Sequence, residues 1–533
     1  MKKMLHNYSD LMVCDLLKYG FPIGYDESEI QVQSSSSDNK LGIKNHKGAR
    51  DFPTDLEKYL IKEATNKAII GPFSENPFAE QIKISPLNTV PKANKVDRRV
   101  ILDLSFPKDG SAVNDHISKD SYLGEEVLLV FPKIDDFVAL IKSKGQGCLM
   151  YKLDLSRAYR QISICPSNYN LVAFSWKGHI FCDTVLSMGL RSAAQICQRV
   201  TNAFANMMWN FGVAVLNYLD DFAGAENKVI APFAFSLLRS LLVKSGIDEA
   251  MEKACSPSTL MIFLGVLFDS ESMAMQVTPD KLSEIKLLIK EWLNRTHASL
   301  KDIQKLLGKL NFVGACVRSS RVFINRILNW LRECYAHNDL SFPLPLEVKQ
   351  DLCWWDKFLP LYNGISLIDY GEWSVGDGIF LSDSCLSGCG GMFGSQFFHR
   401  EFPKFIMEKK IHISGLELLS VIVCLKLWGS QWKGKKIIIF CDNQAACIVV
   451  NSGKARCRFL QQCLREICFL ASIHEFQVKA CHLEGSANRL SDCLSRWHLH
   501  SSYQLEFQRL CAQLRELTEL NATDSCFQFS HEW

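Results

Sequence analysis

Residues 216–224 read LNYLDDFAG. Asp220 and Asp221 stand side by side in an otherwise apolar segment. Adjacent carboxylates repel one another, and burying them without a partner is costly. Taken alone, the pair reads as a turn between two strands, because Asp favours turns. Its company changes that reading. Upstream, CLMYKLDLSRAYRQISI (148–164) places Asp154 at the end of a strand, with Tyr159 beyond the following turn. Between them, LSMGLRSAAQICQRV (186–200) sets Gly189 just before a helix.

Three carboxylates brought together cannot all stay ionised without cations. Mg²⁺ is the ion that carboxylates and phosphates hold well. Two such ions stabilise the attacking and leaving oxygens of an in-line phosphoryl displacement. That chemistry needs hard oxygen ligands on rigid strands, which these positions offer.

In this order, KLDLSRAYRQI, LSMGLRSAAQ and NYLDDF resemble the A, B and C motifs of a retroelement reverse transcriptase. SPLNTVPKANKVDRRVILDLSFPKDGSAVNDHI (85–117) resembles that family's fingers, FLGVLF (263–268) its primer grip, and IQKLLGKLNF the start of its thumb. The resemblance implies a right-hand polymerase in which Asp154, Asp220 and Asp221 hold two Mg²⁺. Lys92 and Arg99 would contact the incoming deoxynucleoside triphosphate. Tyr159 would be the steric gate against a ribose 2′-OH. Gly189 would let the backbone approach the template–nucleotide pair. The partners implied are an RNA template, a DNA primer and the RNA–DNA hybrid they yield.

Acids recur in the last third. Asp383 ends the strand GIFLSD before a Gly-rich hairpin, and Glu417 lies on the helix GLELLSV among Leu416, Leu419 and Val423. Asp442 ends the strand KKIIIFCD, and Asp492 opens a helix ten residues after His482 in CHLEGSANRLSD. Singly, these read as caps and turn acids. Glu417 is the exception, since it interrupts an apolar helix start. As a set on a strand–helix–strand–helix frame they resemble ribonuclease H. That resemblance implies two further Mg²⁺ held by Asp383, Glu417, Asp442 and Asp492, with His482 assisting proton transfer or product release.

The 533-residue chain as a whole sets the frame. Its length predicts two to four domains. A composition 47% hydrophobic and 22% charged is globular, and the net charge of +3 points to no particular partner. The 21 cysteines are scattered without zinc spacing, and Cys385 and Cys389 form an isolated pair. This predicts free thiols in a cytosolic or nuclear setting, with no secretion. No apolar run is expected to reach the roughly 18–20 residues that span a bilayer.

The expected class is α+β, with a polymerase followed by an α/β ribonuclease H-like domain. The predicted boundaries are a flexible leader at 1–53, fingers and palm at 54–277, a helical thumb at 278–345 and a connection at 346–374. The ribonuclease H-like domain follows at 375–498, then a tail at 499–533. A helix is expected over 54–73, with Thr54 as its cap and Gly71-Pro72 as its stop. The wording SPLNTVPK…RRVILDLSFP…SAVND resembles the DIRS-like, tyrosine-recombinase retrotransposons, and the closing FQFSHEW resembles the point where their recombinase region begins. The alternative reading is a decayed or domesticated element protein that binds nucleic acid without catalysis. The presence of all seven acids argues against decay.

Overall fold

The computed structural model describes residues 1, 4–5, 7–26, 43–92, 97–316, 318–337, 339–361, 365–367, 373, 380–455, 457–513 and 516–533. The chain is a mixture of helices and strands in two compact units, Met1–Phe263 and Leu264–Trp533. The division between the two units falls at 263/264.

In the first unit, helices α1 (Met12–Tyr19) and α2 (Pro53–Thr65) precede strand β1 (Ile69–Phe73) and the hairpin β2 (Leu87–Pro91)–β3 (Arg98–Leu102). Helix α3 (Ile134–Lys144), strand β4 (Leu149–Asp154) and the hairpin β5 (Ala173–Trp176)–β6 (His179–Asp183) follow. Helix α4 (Ala193–Trp209), the hairpin β7 (Val215–Tyr218)–β8 (Asp221–Glu226), helix α5 (Ala231–Lys244) and strand β9 (Cys255–Ser258) come next, before a final strand at Leu260–Phe263. The central sheet runs β9-β4-β8-β7 with every neighbour antiparallel. On α4, Ile196, Val200, Ala203, Phe204 and Met207 recur at helical spacing and join one core with Phe222 of β8.

Two expectations fail here. The helix expected over 54–73 ends at Thr65, with Thr54 inside it and Pro53 at its first position. Ile69–Phe73 instead pairs with β6, because the β-branched Ile69 and Ile70 suit an edge strand covered by that hairpin. The leader 1–53 is also built into the fold. Leu5, Val13, Leu16, Phe21, Ile23 and Ala49 are all core residues, since α1 turns its apolar stripe inward. The stretch 27–42 of the expected leader lies outside the described residues.

The second unit opens with the antiparallel strand pair Val266–Asp269 and Ala274–Val277, followed by helices α6 (Pro279–Leu293), α7 (Leu300–Cys316), α8 (Asn325–Tyr335) and α9 (Leu346–Leu361). The expected connection is therefore mostly helix. On it, Trp354 is buried and stacks on Phe323 with ring centroids 3.7 Å apart.

The remainder is built from strands β10 (Phe380–Ser384), β11 (Gly388–Phe393) and β12 (Gln396–Glu401), helix α10 (Ile413–Trp428), strand β13 (Lys436–Cys441) and helices α11 (Gln444–Ser452) and α12 (Arg458–Ile473). Strand β14 (Gln477–His482), helices α13 (Arg489–Ser495) and α14 (Ser501–Leu510) and strand β15 (Thr518–Glu519) complete it. The sheet order is β14-β13-β10-β11-β12-β15. The β10–β11–β12 run is an antiparallel meander, while β10–β13, β13–β14 and β12–β15 are parallel.

Helix α10 and its following turn, Ile413–Trp432, run 20 residues with mean hydropathy 1.5 in their most apolar window. This is long and apolar enough to cross a bilayer, contrary to the expectation from the sequence. It is apolar because it is a core helix, with 78% of that window buried inside the protein. Nor is 499–533 a loose tail. β15 joins the sheet and Phe527 and Trp533 are buried.

Candidate active sites

Asp154 ends β4 and Asp221 begins β8, and the antiparallel register sets them directly opposite one another. Asp220 occupies the two-residue turn between β7 and β8, and its carbonyl accepts a hydrogen bond from the Leu155 amide at 2.9 Å. The three acids therefore converge at one end of the central sheet. Burial, reinforced by Asp221, pushes the Asp154 carboxyl up to about 6. Burial and the Asp221 charge also raise Asp220.

The sequence reading missed the cations that stand against these acids. Lys253 Nζ lies 3.2 and 3.4 Å from the two Asp154 oxygens, and Lys152 Nζ lies 3.0 Å from Asp221 Oδ1. Burial works against the Lys253 ammonium, yet the pull of Asp154, Asp220 and Asp221 leaves its pKa raised. Lys152 was within reach of sequence reasoning, because residues two apart on a strand share a face. Lys253, far along the chain, carries no local signal. Crowded, half-buried hard-oxygen donors that draw in two ammonium groups suit Mg²⁺.

Gln198, buried on α4, was missed as well. Leu219 takes a left-handed φ of 52°, uncommon for a branched side chain. Its amide donates to Gln198 Oε1 at 2.8 Å, and Gln198 Nε2 donates to the Asn217 carbonyl at 3.0 Å. Asn217 in turn donates to Thr201 and Asn202 of the same helix. A polar clamp from α4 thus fixes the turn that carries Asp220.

The other expected residues are placed more variously. Tyr159 is half-buried close enough to Asp220 for that charge to act on it, and burial pushes its phenol up to about 12. Gly189 has φ 113°, and a Cβ there would stand 2.3 Å from the Leu102 carbonyl oxygen. Its backbone approach is therefore to β3. Asn114 seals that approach, donating to the Gly189 carbonyl and accepting from the Arg191 amide, both at 2.8 Å. Arg99 is exposed on β3 opposite Val90, and Lys92 is exposed just past β2. Among the described residues, the lysines paired with the acids are Lys152 and Lys253, not Lys92.

The second set assembles on the six-stranded sheet. Asp383 on β10 and Glu417 on α10 are each only 3% exposed. Asp442 follows β13 and Asp492 sits on α13, where it pairs with Arg496 at 2.8 Å. Asp383 Oδ2 accepts from Ser495 Oγ of α13 at 2.5 Å. Helix α13 reaches the sheet because β11 offers Gly390, where a Cβ would stand 2.3 Å from Leu494. Burial pushes Glu417 up to about 9, with Asp383 and Asp442 adding to it. Burial also pushes Asp383 up to about 7, eased by Ser495 and reinforced by Asp442 and Asp492. The charges of Asp442 and Asp492 thus reach Asp383, and those of Asp383 and Asp442 reach Glu417. His482 is exposed, pairs in register with Cys441, and donates through Nε2 to the Asp442 carbonyl at 3.1 Å.

Comparison with known proteins addresses the first site. A retrovirus-related Pol polyprotein from transposon opus of Drosophila melanogaster is 23% identical over 278 residues, covering 52% of this chain and 25% of that protein. Protein P of Heron hepatitis B virus is 24% identical over 173 residues, covering 31% of this chain and 21% of that protein. The chain thus spans about a quarter of the length of these curated relatives. Among solved structures, the foamy viral protease-reverse transcriptase dRH in complex with double-stranded DNA aligns with a TM-score of 0.48 at 14% identity, over 90% of this chain and 78% of that one. The same foamy viral protein in complex with RNA/DNA hybrid aligns with a TM-score of 0.43 at 13% identity, over 82% and 54%. Residues 90–268, which contain Asp154, Gly189, Asp220 and Asp221, match the family described as "Reverse transcriptase (RNA-dependent DNA polymerase)".

Proposed function

We propose that the chain is the RNA-directed DNA polymerase of a retrotransposon, of the DIRS-like type, with a ribonuclease H activity in its second unit. The observation that carries the polymerase reading is the meeting of Asp154, Asp220 and Asp221 at one sheet end inside the 90–268 match. These three carboxylates would hold two Mg²⁺, which supply charge neutralisation at the attacking and leaving oxygens of nucleotidyl transfer. Asp154 and Asp221 are fixed by the β4–β8 register, and Asp220 by the Gln198 clamp. Lys152 and Lys253 offset the repulsion among the acids. Lys92 and Arg99 would meet the triphosphate, and the Tyr159 ring would fill the space a 2′-OH needs. The substrates are deoxynucleoside triphosphates with an RNA template and a DNA primer, in a reducing cytosolic or nuclear compartment.

In the second unit, Asp383, Glu417, Asp442 and Asp492 would hold Mg²⁺ for hydrolysis of the RNA strand of a hybrid. His482, anchored to the Asp442 carbonyl, would carry a proton to or from the cleaved strand. The charges of Asp442 and Asp492 acting on Asp383, and of Asp383 and Asp442 acting on Glu417, support this reading.

Primer extension on an RNA template with Mg²⁺ tests the polymerase. Normal primer–template binding without any DNA product would refute it. The Asp442→Asn variant should lose hybrid-dependent RNA cleavage and keep synthesis; joint loss with an intact fold would argue against two separate sites. The Tyr159→Ala variant should incorporate ribonucleotides, read as the ratio of ribo- to deoxynucleotide kcat/KM; an unchanged ratio removes Tyr159 as the gate. In Gln198→Ala the Leu219 amide loses its partner, which costs roughly 1–3 kcal/mol when buried. We expect kcat for nucleotide addition to fall about tenfold with nucleotide KM unchanged; a change confined to KM would show that Gln198 does not position Asp220.

A further inference from the structure

Cys441 is the last residue of β13, immediately before Asp442, and is only 1% exposed. Its Sγ lies 3.7 Å from Glu417 Oε2 and accepts a hydrogen bond from the Asn443 amide at 3.4 Å. One donor atom each from Glu417, Cys441 and Asp442 lie within 4.8 Å of one another. Asp442 is half-buried and opens this group toward solvent. A hydrolase that uses Mg²⁺ needs only oxygen ligands here, so the thiol has no part in the proposed chemistry.

We propose that Glu417, Cys441 and Asp442 form a binding site for a thiophilic divalent cation, with Zn²⁺ as the type case. Zn²⁺ takes four tetrahedral ligands from thiolate, imidazole and carboxylate, and three protein ligands leave the fourth position to water. Mg²⁺ prefers six oxygens in an octahedron and gains nothing from sulfur. First-row metals bind such mixed sites more tightly than Mg²⁺, and thiolate sharpens the preference. An amide N–H directed at the sulfur stabilises the thiolate that metal binding creates. The thiol proton leaves to solvent as the metal–sulfur bond forms. Helix α11 sets Cys447 beside the site, its Sγ 3.8 Å from the Cys441 carbonyl, which surrounds the sulfur with a second soft group.

Occupancy would bind two of the four acids in a tetrahedral arrangement unsuited to a pair of hard ions. The consequence for function, which rests on the ribonuclease H reading, is that Zn²⁺ inhibits hybrid cleavage in competition with Mg²⁺. The binding itself does not depend on that reading.

The test uses the full-length chain. Cd²⁺ is titrated in place of Zn²⁺, and the ultraviolet thiolate-to-Cd²⁺ charge-transfer band is read as a difference between wild type and Cys441→Ser. Zn²⁺ stoichiometry is measured in parallel by equilibrium dialysis, with circular dichroism to check folding. We expect Cys441→Ser to lose one tight equivalent and its share of the band. Asp442→Asn, altered at the more exposed ligand, should retain the thiol and bind Zn²⁺ at least tenfold more weakly. Where the chain cleaves hybrids, the Zn²⁺ concentration for half inhibition should rise at least tenfold in Cys441→Ser. Equal stoichiometry and equal bands in wild type and Cys441→Ser, or unchanged affinity in Asp442→Asn, overturn the site. A chain that binds the metal as expected but cleaves no hybrid overturns the hydrolase reading alone.

Discussion

In Asp220→Asn, DNA synthesis on an RNA template is expected to fall about a thousandfold, roughly 4 kcal/mol of transition-state stabilisation. The substitution is nearly isosteric and leaves the backbone in place. The Asp220 carbonyl still accepts from Leu155, and the Gln198 clamp still holds Leu219. What is removed is one of three negative charges in a half-buried cluster. The same removal relieves repulsion. Asp154 is pushed up by burial and by Asp221, with Asp220 adding to it. The variant should therefore melt no lower than the wild type while losing its activity. Single-turnover primer extension reads the first effect and thermal denaturation the second. Synthesis within tenfold of wild type would remove Asp220 from the reaction. A large fall in melting temperature would mean that the carboxylate also holds the fold.

The largest effect on stability is expected at Arg160. It is 7% exposed and lies between two buried acids. Its Nε donates to Glu63 of α2 at 2.8 Å and an Nη to Asp183 of β6 at 2.8 Å, with further bonds to the Ala68 and Leu186 carbonyls. In Arg160→Met both carboxylates stay buried without this partner. Breaking a buried ionic network from one side costs about 3–5 kcal/mol. Arg157, 3.6 Å from Glu63, offsets part of the loss for that acid but not for Asp183. Urea denaturation of the full chain should show the midpoint of the first unit shifted down accordingly. Arg160→Lys should recover only a fraction, because an ammonium lacks the planar fork that spans both acids. A loss below about 1 kcal/mol in Arg160→Met would show that the acids find other partners or become protonated, and that this network adds little.

The acids of the first site were legible because their arrangement is written in local terms. An acid ending an apolar strand and an acid pair in a short apolar hairpin are strand and turn features, and antiparallel pairing brings them together. The lysines were not legible as a group. Lys152 looks like any polar residue alternating along β4, and Lys253 meets Asp154 only through tertiary folding. Gln198 hid for the same reason, since a buried glutamine on an amphipathic helix shows no pattern of its own. At Gly189 the Leu102 carbonyl leaves no room for a side chain, a close approach within the protein that the local sequence does not announce. Length misled at 54–73, where periodic polar residues continue past Thr65 into a strand. Composition misled at both ends of the chain, where polar residues surround a few apolar anchors such as Val13 and Trp533. Burial of those anchors decides the structure, and average polarity does not report it.

The short strand Thr518–Glu519 lies beside Gln396–Phe397 at the rim of the second sheet. Without it, β12 would present unpaired amides and carbonyls next to the apolar Phe397 and Phe398, a ready template for a foreign strand. Two residues are enough to blunt that rim, and the chain that follows is moored by the Ser530 amide and the Trp533 indole, both donating to the fully buried Glu466. The last thirty-odd residues therefore guard against self-association, and a protein shortened to end at the predicted domain boundary near 498 would carry a sticky flank in place of a capped one.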